Sequence, residues 1–388
     1  MSNAAAPEEF PARGEVVALH YATGLSVRVR WEEGIVQSVQ AASAAPLSPH
    51  RWIAPGLVDL QVNGYGGVDF QTAGLPAAHL TAAVRRLARD GCRRLLPTLI
   101  TDTWPGMVQQ LRHLRSLRAA SPELARAIVG WHIEGPFLSA RPGFCGAHDS
   151  ARMIDPEIRH LSELRPAAGN DPVLLTLAPE RANALEFIRH AVQAGIRVSL
   201  GHTDASAARL QEAVAAGAVG FTHLGNGCPQ ELDRHDNILW RVFDTPGLSV
   251  GLIPDAAHVS PALFRLIHRA LGPAAIYYTA DAMAAAGMPP GRYRIGRLEL
   301  EVGADEIVRL PGSSNFAGSA LRPFAGVLRA ARMLGCSWRE VWDSASATPA
   351  RMMGLPAGLE PGAPADFCLI DAPPGGEPHL QAGAAGWS

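Results

Sequence analysis

The chain contains no lysine: all 34 of its basic residues are arginine. A Schiff-base lysine, a P-loop lysine and a carbamylated lysine bridging two metals are thereby excluded. Cysteine is sparse and unpatterned, with Cys92, Cys145, Cys228, Cys336 and Cys368 forming no CxxC pair. An odd, scattered set reads as reduced thiols of a cytoplasmic protein, each a small apolar side chain, rather than as a disulfide frame. The net charge of −2 offers no general attraction to nucleic acid or an anionic membrane. No apolar run approaches the ~20 residues of a membrane span. Residues 1–14 have neither the basic start nor the apolar stretch of a secretory signal. Internal repeats are absent as well. What is there is 388 residues, 47% hydrophobic and 18% charged, enough for one large globular domain and a small one.

Short strand-like runs broken by glycine and charge occupy 15–53, around Val16–Leu19, Ser26–Arg30 and Ile35–Val39. From Ala54 the texture changes to apolar strand runs alternating with helical patterns. Leu80, Val84 and Leu87, or Leu111, Leu114 and Leu117, carry the helical spacing. The strand runs lie near Leu57–Val62, Arg93–Ile100, Ile128–Ile133, Val173–Leu177, Arg197–Leu200, Val219–Thr222, Leu248–Ile253 and Ile276–Thr279. About eight strands separated by helix-length segments are what a (β/α)8 barrel requires. Arg294–Val302 alternates like exposed β and reads as an excursion after the eighth strand. Helical patterns follow at Ser319–Leu334 and Ser337–Ala347, and Gly358–Ile370 returns to strand texture.

Such barrels carry their active residues where strands end and βα loops begin. Gln61 and Asn63 end the first strand, Glu134 the third, His202 the fifth, His223 the sixth and Asp281 the eighth. His202 and His223 are 21 residues apart, about one strand–helix unit, so neighbouring strands would hold the two imidazoles side by side. Two imidazoles and a carboxylate are a first shell for Zn2+ or a similar divalent ion, with a position open for water. The ion would acidify that water and polarise a carbonyl, and Asp281, outside the ligand count, would move the proton. This chemistry is hydrolysis of an amide or ester. Each residue also has a plainer reading: a capping or core histidine, an N-cap at Asp281, or a Glu134 paired with Arg141. His132, two residues before Glu134 on the same strand face, is either a support for the site or packing.

These residues carry a resemblance. The runs Pro55–Asp59, Gln61–Gly64, His132–Leu138, Gly146–His148, Gly201–Ala205, Thr222–Leu224, Pro254–Val259, Thr279–Ala282, Ala317–Ser319 and Leu359–Asp366 resemble, in order, the N-acetylglucosamine-6-phosphate deacetylases of the amidohydrolase superfamily. The resemblance implies a (β/α)8 barrel over 54–356 and a small β-sandwich from 1–53 and 357–388, usually in a homodimer. It implies removal of acetate from N-acetylglucosamine 6-phosphate. Glu134, His202 and His223 would hold the metal, Asp281 would be general base and acid, His148 would meet the substrate carbonyl and His258 the sugar. Gln61, Asn63 and Ala317 are further candidates for substrate contact.

Many amidohydrolases place His-x-His on the first strand and bind a second metal. Gln61-Val62-Asn63 stands here instead, so one ion per chain is expected, zinc or alternatively Fe2+, Mn2+ or Co2+. The family often reads Thr-His-Leu-Tyr/Phe-Asn-Ala-Met where this chain has Thr222-His223-Leu224-Gly225-Asn226-Gly227-Cys228. Asn226 is retained, and the Gly227 amide is a candidate for phosphate. Arg234 is the candidate to reach a partner's phosphate bidentately, with His235 on the same loop. Alternatives are deacylation of N-acetylgalactosamine 6-phosphate or an N-acyl amino acid, or a metal- and sugar-binding protein without turnover.

Overall fold

In the computed structural model, residues 12–43, 48–296, 298–303, 307–311 and 316–381 are described. The expected small domain therefore lies partly outside the described residues, at 1–11, 44–47 and 382–388. Eight parallel strands stand in sequence order: Leu57–Val62, Cys92–Ile100, Trp131–Glu134, Val173–Leu177, Arg197–Leu200, Gly220–Phe221, Ser249–Leu252 and Ile276–Tyr278. Leu57–Val62 and Val173–Leu177 are buried at every residue, as strands covered on both faces are. Helices such as Ala77–Arg89, Trp104–Ala119 and Pro261–Leu271 follow the strands and bury one stripe each.

The sheet closes between its first and eighth strands. Val62 bridges Ala282 in parallel, and the Asn63 N–H donates to the Ala282 carbonyl at 2.7 Å. Beneath that bridge, Asp59 accepts from Thr279 Oγ1 at 2.5 Å, the Ala280 N–H at 2.9 Å and the Gln61 N–H at 3.0 Å. Burial pushes its carboxyl up to about 6, and those three donors pull the other way. A layer of hydroxyls and one imidazole crosses the barrel interior. Thr98 Oγ1 accepts from the Val62 N–H, and His132 reaches Thr98 Oγ1 at 3.3 Å and Thr176 Oγ1 at 2.8 Å. Thr222 Oγ1 then meets Thr176 Oγ1 at 2.8 Å and Ser199 Oγ at 2.7 Å. Six strands are joined by this layer, and burial pushes His132 down to about 4, so its ring is neutral.

Both ends of the chain build a second, six-stranded sheet, ordered His379–Leu380, Cys368–Asp371, Arg51–Ala54, Arg13–His20, Ser26–Glu32 and Ile35–Ala41. Only the Arg13–His20 and Arg51–Ala54 pair is parallel. Val16, Val29, Trp31, Ile53 and Phe367 form its separate core, with the Trp31 and Phe367 rings edge-on at 5.3 Å. Among the described residues no helix is long and apolar enough to cross a membrane, and all five cysteines are free.

Three local expectations shift. The strand read from Ile128 starts at Trp131, because Ser121 caps and Pro122 begins a short helix, Pro122–Ala127, that uses the preceding residues. The helix read from Ser319 starts at Pro323, since Ser319 instead pairs with the end of the eighth strand through Asp281 O. Ser337–Ala347 is broken into a 3-10 turn, Trp342–Ala345, and a helix, Ala347–Met352. The excursion is a three-stranded antiparallel sheet, Gly291–Ile295, Leu298–Val302 and Val308–Arg309. Its Ile295, Leu300 and Val302 are buried against Met283 and Ala317 at the barrel mouth, so only one face is exposed.

Asp59→Ala leaves two buried N–H groups and a hydroxyl unpaired at the seam. A loss of roughly 3 kcal/mol is expected, read as a lower urea midpoint. An unchanged midpoint would show that the seam does not depend on this carboxylate.

Candidate active site

The parallel register sets Glu134 beside Ile100 of the second strand and Thr176 of the fourth. Its carboxylate is buried, and a buried charge must be met by donors or opposite charge. Gln61 Nε2 donates to Oε1 at 2.9 Å, His223 Nε2 lies 2.8 Å from the same oxygen, and His202 Nε2 lies 3.5 Å away. His148 Nε2 is 3.9 Å from Oε2. The His202 ring stands edge-on to both neighbours, 4.5 Å from His148 and 4.9 Å from His223. Arg141, weighed as a partner for Glu134, pairs instead with Asp204 and lies over the Phe144 ring. No helix starts at Asp281, so it is not an N-cap.

His202, His223 and Asp281 leave their strands with φ of 49°, 33° and 47°. Non-glycine residues take such left-handed values at roughly 1–3 kcal/mol each, and they concentrate at functional sites. All three side chains face one half-open cavity at the barrel mouth.

The hydrogen bonds select the ring tautomers. His202 Nδ1 lies 2.9 Å from the Phe144 carbonyl, which only accepts, so Nδ1 carries a hydrogen and Nε2 faces Glu134. Between that nitrogen and the carboxylate stands either a proton, giving a hydrogen bond, or a metal ion. Ligand atoms of Glu134, His202 and His223 all fall within 4.8 Å of one another, a donor set that suits a divalent ion. Gly227 makes room for the arrangement, because a Cβ there would sit 2.7 Å from His202 Nδ1.

Burial works to raise the Glu134 pKa, but the bonds to His202 and His223 and the His223 charge outweigh it and hold the carboxyl well below its ordinary value. Burial likewise opposes charge on His223, yet the Glu134 bond and the Glu134 and Asp281 charges raise its pKa. Asp281 accepts from Asn63 Nδ2 at 2.7 Å and is pushed up to about 7, chiefly by burial. Burial, then His202, push His148 down to about 3. Its Nδ1 accepts from the Thr101 N–H at 3.4 Å and meets Thr101 Oγ1 at 2.9 Å. This leaves a neutral ring with an Nε2–H free to donate.

Of the residues expected from sequence, Asn63, His148, Asn226 and Ala317 line the cavity with Glu134, His202, His223 and Asp281. Gln61 does not, because its amide lies beneath Glu134 and is engaged there. Gly227 packs against His202. His258 lies against Phe316 of the cavity wall, the rings tilted with centroids 4.9 Å apart, and its Nδ1 is 2.6 Å from Asp255 Oδ2. His258 Nε2 and Asn63 Oδ1 are buried without a hydrogen-bond partner among the described residues. Arg234 and His235 sit on an exposed loop away from this wall, the Arg234 carbonyl accepting from Trp240 Nε1. Sequence reasoning passed over Thr101, the Phe144 carbonyl and Asp255. Only Asp255 had a visible signal, three residues before His258 where an aspartate turn forms.

No family model matches the chain. The N-acetylglucosamine-6-phosphate deacetylase of Mus musculus is 33% identical over 332 residues, 83% of this chain and 80% of its own. That of Vibrio furnissii is 30% identical over 341 residues, 84% of this chain and 80% of its own. A solved structure of a Mycobacterium smegmatis N-acetyl-D-glucosamine-6-phosphate deacetylase mutant, in complex with N-acetyl-D-glucosamine-6-phosphate, matches with a TM-score of 0.83 and 30% identity. It covers 93% of this chain and 95% of its own. With such relatives along most of its length and the same barrel beneath the site, the chain belongs to the N-acetylglucosamine-6-phosphate deacetylase family of the amidohydrolase superfamily.

Proposed function

We infer that the chain hydrolyses N-acetylglucosamine 6-phosphate to glucosamine 6-phosphate and acetate, using one divalent ion. The observation that carries this is the buried trio of Glu134, His202 and His223, whose ligand atoms lie within 4.8 Å of one another, with Asp281 on the same cavity. The Mycobacterium smegmatis relative is seen with N-acetyl-D-glucosamine-6-phosphate. A divalent ion on Glu134, His202 and His223, with zinc the best fit to two imidazoles and a carboxylate, would supply Lewis acidity at the acyl carbonyl and lower the pKa of water there towards ~7.

Asp281 is the base and acid. Its carboxylate takes a proton from the attacking water and returns it to the amine as the C–N bond breaks, so the water oxygen leaves in acetate. Asn63 Nδ2 fixes the carboxylate for that transfer. The neutral His148 donates its Nε2–H to the carbonyl oxygen as negative charge builds there. His258 Nε2 and Asn63 Oδ1 are buried acceptors awaiting donors, and sugar hydroxyls supply them. Asn226 and the backbone at Gly227 take the phosphate end, with Arg234 arriving from the second subunit of a homodimer. Its exposed loop, next to the exposed Trp240, supports that assignment. Free thiols throughout support a place in the cytoplasm.

Elemental analysis should find one tightly held divalent ion per chain, since Gln61 and Asn63 are amides, poorer ligands than imidazoles, and their N–H groups are engaged by Glu134 and Asp281. Two equivalents would contradict this. Asp281→Asn should keep the metal and lose roughly 10³-fold in kcat. In the wild type, kcat/KM should fall on the acid side, where Asp281 is protonated. The apparent pKa should lie below the value of about 7 set by burial, because a bound dication pulls the carboxyl down. Near-normal turnover of the Asn variant would remove Asp281 from the reaction. Arg234→Ala should raise KM for the phosphorylated sugar far more than for N-acetylglucosamine, whereas equal effects would take Arg234 away from the phosphate.

A further inference from the structure

The cavity has two unlike halves. Asn226 and Asp281 belong to the loops after the sixth and eighth strands and give polar groups, with His258 behind Phe316 after the seventh. Facing them, the end of the second strand, the loop after the third and the excursion contribute Ile100, Ala147 and Ile295. These three belong to one apolar cluster, in which Ile295 is 6% exposed. Ile100 is the register partner of Glu134, and Ala147 precedes His148 in the chain, so this apolar wall adjoins the groups that act on the carbonyl.

The wall is braced from behind. Gln71 spans the end of the second strand, donating from Nε2 to the Thr98 carbonyl at 2.8 Å and accepting the Ile100 N–H at 3.2 Å. Asp69 Oδ2 accepts the Gly296 N–H at 2.6 Å, fixing the residue after Ile295, and a Cβ on Gly296 would already be in contact with Gln71. One short segment, Asp69 to Gln71, thus holds both isoleucines in place.

We propose that Ile100, Ala147 and Ile295 form the pocket for the acyl group and limit its length, with Asp69 and Gln71 as positioning residues for its two isoleucine walls. The proposal rests on the deacylase reading above. A sugar phosphate carries hydroxyls and an anion that match the polar half, and its acyl carbon chain is the part that gains from leaving water. A braced wall does not give way to extra methylenes as a loose one would, and overpacking a fixed apolar site is unfavourable. Each additional methylene is worth about tenfold in discrimination.

The test is kcat/KM for the N-acetyl, N-propionyl and N-butyryl forms of glucosamine 6-phosphate, followed by release of the free amine. The wild type should favour acetyl over butyryl by at least about tenfold. Ile295→Ala and Ile100→Ala should each raise the butyryl-to-acetyl ratio by about tenfold, and Gln71→Ala should raise it less. Equal wild-type rates on acetyl and butyryl substrates overturn the proposal without recourse to any variant, as does an unchanged ratio in both isoleucine variants. Failure of the deacylase reading would look different: no amine release by the wild type from any member of the series.

Discussion

A single buried carboxylate organises the mouth of this barrel. Glu134 has lost its water, and four side chains from other parts of the chain stand around it: Gln61 beneath, His223 and His202 to one side, and His148 at the other oxygen. Gln61 donates to it, His223 and His202 bring their Nε2 atoms to the same oxygen, and the Phe144 carbonyl fixes the His202 ring from its other nitrogen. Those bonds and the His223 charge more than offset burial, so the carboxylate stays ionised. An ionised carboxylate beside two imidazoles is a donor set that suits a divalent cation.

The surrounding structure keeps that arrangement from relaxing. Three strand ends are held in left-handed backbone, and the neutral layer of Thr98, His132, Thr176, Thr222 and Ser199 ties six strands together just below. His132 thus has a definite place as part of the floor on which the charged groups stand, and its neutrality follows chiefly from burial in a dry interior.

Much of this was legible from residues alone. The eight barrel strands stood out as apolar runs between helix-length segments, and their polar ends singled out Glu134, His202, His223 and Asp281, because a parallel sheet brings such ends to one face. Three kinds of information were out of reach. Local boundaries moved where a cap or a proline competed with periodicity, as at Ser121 and Pro323. Contacts made by backbone atoms, such as the Phe144 carbonyl on His202, leave no mark on residue type. The task of Gln61 depended on which way a buried amide turns, and a strand-end glutamine looks alike whether it faces the substrate or its neighbour's carboxylate.

The closing seam joins residues 220 positions apart, Asp59 to Thr279, and the outer sheet pairs Arg51–Ala54 with Cys368–Asp371. During synthesis the early strands emerge long before either partner exists. The first barrel strand must therefore wait with an open edge until nearly three-quarters of the chain has left the ribosome, and the outer sheet waits longer still. Such late pairing is slow and leaves apolar strand edges open to other chains. Since the proposed metal-ligand trio comes from three separate strands of this ring, the place that would take an ion forms only as those strands pair.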